Sequence, residues 1–207
     1  MKRCVIIGGA PIADYKRIKA LLRDDDFYAV CDSGLTHLQG LQISPSLIIG
    51  DFDSAERPIT DTETITLPRE KDDTDSFFAV KEAVARGFDE FLLIGVIGKR
   101  FDHSLCNISI LLYLDKLGKK ASIADDFSEM EIISDRAYVT DEYPYFSLLA
   151  VDGDLQGVTI ENAKFPLSDA EITASYQYGV SNEVVKGRTA EISIKSGRLL
   201  LVRIANE

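Results

Sequence analysis

Leu47-Ile48-Ile49-Gly50-Asp51-Phe52-Asp53 is the stretch that decides the fold of the first half of the chain. A run of branched apolar residues suits a strand buried on both faces, and here the run stops where glycine and acid begin. The same grammar recurs on either side. Val5-Ile6-Ile7 runs into Gly8-Gly9, Phe27 to Cys31 into Asp32-Ser33-Gly34, and Phe91 to Ile94 into Gly95, with a Thr-rich strand over Glu63 to Leu67. Helix-like segments lie between. Ile18, Leu21 and Leu22 share helical spacing, residues 74–86 put Phe77, Phe78, Val80, Ala83 and Val84 on one side, and residues 103–117 are closed by Gly118. The alternation predicts an α/β domain over 1–125, with a mainly parallel sheet and helices on both faces. Its polar chemistry then belongs in the loops at the carboxyl ends of the strands.

From residue 126 the period changes. Short strands are predicted over 129–133, 136–140, 145–151, 155–161, 182–185, 190–194 and 199–204, punctuated by Asp152-Gly153, Lys186-Gly187 and Ser196-Gly197. This predicts an all-β sandwich domain over 126–207.

Composition narrows the function. The 207 residues carry 34 acids against 23 bases, a net charge of −11 with no basic patch, which disfavours a nucleic-acid partner. No apolar run approaches the roughly 20 residues of a membrane span. The N-terminal apolar run is too short for a signal peptide and reads as a first strand. Cys4, Cys31 and Cys106 are widely spaced without a CxxC pair, so neither a disulfide framework nor a zinc site is expected, and the cytoplasm is the expected location.

Four polar clusters follow predicted strands: Asp32-Ser33-Gly34, Gly50 to Ser54, Lys71 to Asp75 and Gly98 to His103. In extended chain Asp51 and Asp53 point the same way, and two adjacent carboxylates call for a cation between them. Hard oxygen ligands suit Mg²⁺ shared with substrate phosphates. Lys71 and Arg100 offer positive charge to phosphate oxygens, and Asp75 falls in the first turn of a helix. Together these serve phosphoryl transfer, which relies on positioning and charge stabilisation. Each cluster also has a plainer reading. Asp-x-Asp is a common turn, Asp73 or Thr74 a helix cap, Asp75 a dipole-favoured residue, His103 a helix start. The P-loop, the G-x-G-x-x-G dinucleotide turn and the G-x-S-x-G elbow are all missing.

Taken in order, these residues resemble the thiamine pyrophosphokinase family. The likeness runs through Gly8-Gly9, Cys31-Asp32-Ser33-Gly34, Pro45 to Ser54, Lys71-Asp72-Asp73-Thr74-Asp75 and Arg100-Phe101-Asp102-His103. It continues in Lys164-Phe165-Pro166-Leu167 and Gly179-Val180-Ser181-Asn182-Glu183. Two positions depart from it: Ser33 and Lys99 stand where glycine is usual. The resemblance implies transfer of a pyrophosphoryl group from ATP to the hydroxyl of thiamine, giving thiamine diphosphate and AMP. It further implies a homodimer with thiamine sites near the subunit interface. Asp51, Asp53 and Asp75 are the implied magnesium ligands, with Arg100 and Asp102 beside them in the catalytic set. Asp32, Lys71, Asp72, Thr74, Arg100 and His103 are the implied nucleotide contacts, and Ser181 and Asn182 the thiamine contacts. Two rivals stay open: another alcohol acceptor on the same scaffold, and a nucleotide- or thiamine-sensing module without turnover.

Overall fold

The computed structural model describes residues 2–52, 58–70 and 72–205, and the chain divides into two compact units, 1–126 and 127–207. In the first, β1 (Arg3–Ile7) leads through α1 (Tyr15–Ala20) to β2 (Phe27–Cys31). A 3₁₀ turn over Asp32–His37 and the short α2 (Leu38–Leu41) precede β3 (Leu47–Gly50) and β4 (Thr64–Thr66). Then come α3 (Asp75–Ala85), β5 (Glu90–Ile94), α4 (Phe101–Lys116) and β6 (Lys120–Ala124). The strands lie in the order β4-β3-β2-β1-β5-β6, every pair parallel.

The fold follows from what each strand must bury. All of β1 and β3 is inaccessible, so the sheet needs cover on both faces. Ile18 of α1 and Leu41 of α2 pack on the row Val5, Ile7, Val30, Leu92 and Ile94. On the other side α3 runs along β1, β2 and β3 through Ala79, Val80 and Ala83, and meets α4 where Phe77 and Tyr113 stack edge to face, ring centroids 5.0 Å apart. Burial on this side pushes the Cys4 thiol up to about 12, leaving it a packing group and not a nucleophile. At the base of β1, Arg3 forks onto the buried Asp26 carboxylate at 2.6 and 2.7 Å.

The second unit is antiparallel throughout. β7 (Ser128–Ile133), β13 (Leu199–Ile204) and β9 (Tyr145–Ala150) pair in the order β7-β13-β9. β8 (Arg136–Thr140), β10 (Leu155–Glu161), β11 (Leu167–Ile172) and β12 (Thr189–Ser193) form a sheet in the order β11-β10-β12-β8. Phe146 and Leu148 from the one and Val158, Ile160 and Ile192 from the other share a single core, so the unit is a sandwich. The expected strand over 182–185 is reduced to isolated bridges, Phe146 to Asn182 and Ala163 to Val184. Two strands beyond the sequence reading appear, β6 and β11. No helix among the described residues is long and apolar enough to cross a membrane.

Candidate active site

A parallel sheet delivers every strand end to the same edge, and here the ends open on a cleft of about 510 Å³ within the first unit. Gly8 to Pro11 after β1, Cys31 and Ser33 after β2, Asp51 after β3, Arg69 after β4 and Gly95, Val96, Gly98 and Lys99 after β5 line it. Asp73 to Ser76 at the start of α3 and Arg100, His103 and Asn107 at the start of α4 complete it.

The floor is bare backbone. Gly8 N–H donates to Ile94 at 2.9 Å and Ala10 N–H to Gly95 at 2.8 Å, which holds the two strand ends together past their last paired residues. A Cβ on Gly8 would sit 2.5 Å from the Gly95 carbonyl, and Gly95 itself has φ +62°, so neither position admits a side chain. Ala10 is fixed from behind as well. His37, buried to 5% exposure, contacts its carbonyl through Nε2 at 3.0 Å and the Tyr15 hydroxyl through Nδ1 at 2.8 Å. Since a carbonyl only accepts, Nε2 carries the proton and Nδ1 accepts from tyrosine. Burial pushes this imidazole below its usual pKa, which keeps it neutral. Ser33 fills the space above Gly9, where a Cβ would lie 2.3 Å from its hydroxyl oxygen.

On the acidic wall, Asp51, Asp73 and Asp75 face the cleft. Asp32, an expected nucleotide contact, is buried and outside the lining. Its carboxylate accepts from the N–H of Ser33 and, at 3.3 Å, from the N–H of Phe52, whose φ is +53°. Asp32 therefore shapes the turn that presents Asp51, and Gly50 must be glycine because a Cβ there would meet Asp32 at 2.5 Å. Thr74 caps α3, its hydroxyl accepting from Phe77 N–H at 3.2 Å, as the plainer reading of that residue has it. Asp73 pairs with Lys81, while Asp72 is exposed and outside the lining. Asp53 and Lys71 lie outside the described residues. Among the described residues no group of three or more acids, histidines or cysteines converges as a ready metal cage. Asp51 and Asp75 nonetheless fit a hard cation that keeps several waters and shares its remaining sites with phosphate.

At the start of α4, Arg100 forks onto Asp102 at 2.9 and 2.6 Å, both side chains largely exposed. The guanidinium holds Asp102 well below the usual carboxylate range. Arg100 lines the cleft and Asp102 does not, so the acid orients the base from outside. Ser104 ties this loop down, accepting from Gly98 N–H at 3.1 Å and donating to the Arg100 carbonyl at 3.1 Å. Arg69 and Asn107 are lining residues that the motif reading missed. Asn107 is buried and donates to the Val96 carbonyl at 2.7 Å, bracing the loop after β5.

Comparison with known proteins adds an independent line. The family description "Thiamin pyrophosphokinase, catalytic domain" matches residues 18–123, more than half of the chain. The chain belongs to the thiamin pyrophosphokinase family. A second description, "Thiamin pyrophosphokinase, vitamin B1 binding domain", matches residues 130–199. A thiamine pyrophosphokinase of Bacillus subtilis (strain 168) is 26% identical, over 98% of this chain and 99% of the relative. For the fold, the crystal structure of the Bacillus subtilis thiamine pyrophosphokinase superposes with a TM-score of 0.85 at 24% identity, covering both chains fully. That of yeast thiamin pyrophosphokinase gives 0.76 at 14% identity, over 98% of this chain and 86% of the other.

In this family member the β-unit residues expected to touch thiamine divide. Ser181 is exposed with φ +56°, its N–H donating to the Ser147 hydroxyl at 3.1 Å. Asn182 is 4% exposed and turned inward. Its amide oxygen accepts from the N–H of Phe165 at 3.0 Å and of Glu183 at 2.9 Å, and its amide nitrogen donates to the Phe165 carbonyl at 2.8 Å. The side chain holds the Lys164-Phe165 turn and has little capacity left for a ligand. What the turn displays is Phe165, 57% exposed, with the Lys164 ammonium 5.6 Å from its ring centroid.

Proposed function

We propose that this chain transfers the pyrophosphoryl group of ATP, bound as its magnesium complex, to the hydroxyl of thiamine. The products are thiamine diphosphate and AMP. The observation that carries this reading is the convergence on one cleft of two carboxylates, Asp51 after β3 and Asp75 at the start of α3, with the Arg100 guanidinium. Asp51 and Asp75, together with Asp53, would hold Mg²⁺, which when bound screens the phosphate charge and favours departure of AMP. Arg100, oriented by Asp102, donates to phosphate oxygens as charge shifts onto the leaving group. The thiamine oxygen attacks the β-phosphorus, the bond between that phosphorus and the oxygen of the α-phosphate breaks, and the hydroxyl proton passes to a cleft carboxylate. The Gly8–Gly9 floor admits phosphate or base close to the backbone, and His103 closes the α4 side. The reaction is proposed to run in the cytoplasm, on a homodimer.

The decisive measurement is coupled detection of AMP from ATP in the presence of Mg²⁺. AMP release that requires thiamine supports the reading. Release of ADP, or equal release with unrelated alcohols, overturns it.

A further inference from the structure

Charge around the cleft is mostly settled locally. Asp73 meets Lys81, Asp102 holds Arg100, and beyond the rim Arg86 binds Glu63 and Glu82. Two lining cations do not follow this pattern. Among the described residues, neither Arg69, on the loop between β4 and α3, nor Lys99, on the loop between β5 and α4, has a carboxylate partner. Both are exposed, and they reach the cleft on different loops. In a chain of net charge −11, two cations kept at the mouth of an otherwise acidic cavity set the local potential for whatever enters.

We propose that Arg69 and Lys99 form a two-walled polyphosphate subsite that fixes the preference of this cleft for triphosphate over shorter chains. This rests on the nucleotide reading above and adds residues to it. Asp51 and Asp75 suit a cation, so they cannot themselves hold phosphate oxygens. Arg100 is already committed on one edge to Asp102. The terminal phosphates of a metal–triphosphate complex, which still carries net negative charge, need further donors. Arg69 offers a planar fork and Lys99 a mobile point charge, both chemistries suited to such oxygens. Because these cations read phosphate charge and not the nucleoside, they act on inorganic triphosphate as well as on ATP and leave adenosine untouched.

The test uses the full chain and inorganic triphosphate with Mg²⁺ as the probe, titrated calorimetrically into wild type, Arg69→Ala, Lys99→Ala and Arg69→Lys. Each alanine variant is expected to weaken triphosphate binding about tenfold, as loss of a charge-assisted hydrogen bond does. Arg69→Lys should recover part of that loss, and thiamine binding should not move. Circular dichroism on the same samples confirms folding, which substitution of exposed side chains leaves intact. Wild-type-like triphosphate affinity in either alanine variant overturns the subsite, as does a wild type that binds no triphosphate. Thiamine-dependent AMP release by the wild type is scored separately. Cation-dependent triphosphate binding without AMP release sinks the transfer reaction and keeps the subsite. AMP release with unchanged triphosphate affinity in the variants does the reverse.

Discussion

Asp75 in the α/β unit and Asn182 in the β unit sit in sequence signatures of equal clarity, yet they face opposite ways. Asp75 opens α3 onto the cleft; Asn182 is folded under a turn and hydrogen-bonded to backbone on every side the turn offers. A polar residue in such a signature thus does not say whether it serves ligand or architecture. What separates the two is the supply of backbone groups. At the start of α3 the half-buried Asp75 side chain is left at the cleft, whereas the turn that holds Asn182 needs internal partners for its own N–H and C=O groups.

That contrast can be broken most directly by exchanging activity for stability. Asp75→Asn should lower kcat by about 10²–10³-fold with the melting temperature little changed, since a neutral amide loses charge interactions concentrated in the transition state. Asn182→Ala should do the opposite. It removes the partner of part-buried backbone groups of Phe165 and Glu183 and should cost about 1–2 kcal/mol of stability by thermal or urea unfolding, while the folded fraction turns over normally. An Asn182→Ala protein of unchanged stability and raised KM for thiamine would instead return Asn182 to the ligand.

Within the α/β unit the same question applies to Thr74, which both lines the cleft and caps α3. Thr74→Ala should lose about 1 kcal/mol of stability, with Thr74→Ser restoring it. A large rise in the KM for ATP that serine also reverses would add a nucleotide contact to the cap. The smallest effect expected is titration of His37. Its folded pKa lies below the unfolded value, so the unfolded chain binds the extra proton first. Stability is then complete above about pH 6.5, the unperturbed imidazole value, and falls as the pH drops below it. His37→Gln should flatten that slope in unfolding measured from pH 7 to pH 5.

The fold was legible because burial on both faces leaves a strand no choice of residue: Val5-Ile6-Ile7 and Leu47-Ile48-Ile49 read as strands from composition alone. β11 did not, because Leu167 to Ile172 buries only its last residue and shows no alternation. At the site, acids at strand ends were visible as clusters, but their directions were not. Asp32 and Asp51 look alike in sequence, and only the close approach of Gly50 to Asp32 reveals which one is buried. Asn107 could have been found from helical phase. Ser104, Asn107, Leu111 and Leu114 share the buried stripe of α4, and a polar residue on such a stripe is braced against something inside. Arg69 left no such signal, since an exposed arginine in a charged turn resembles any solvated one.

The contact between Gly8 and Gly95 bears on how such a chain diverges. Backbone touching backbone leaves no side chain to exchange, so drift at either position closes the cavity before it can retune it. Change in what the cavity accepts has to arrive through the rim, where Arg69 and Lys99 stand exposed on loops. The floor is inherited whole, and the rim is where one lineage can come to differ from another.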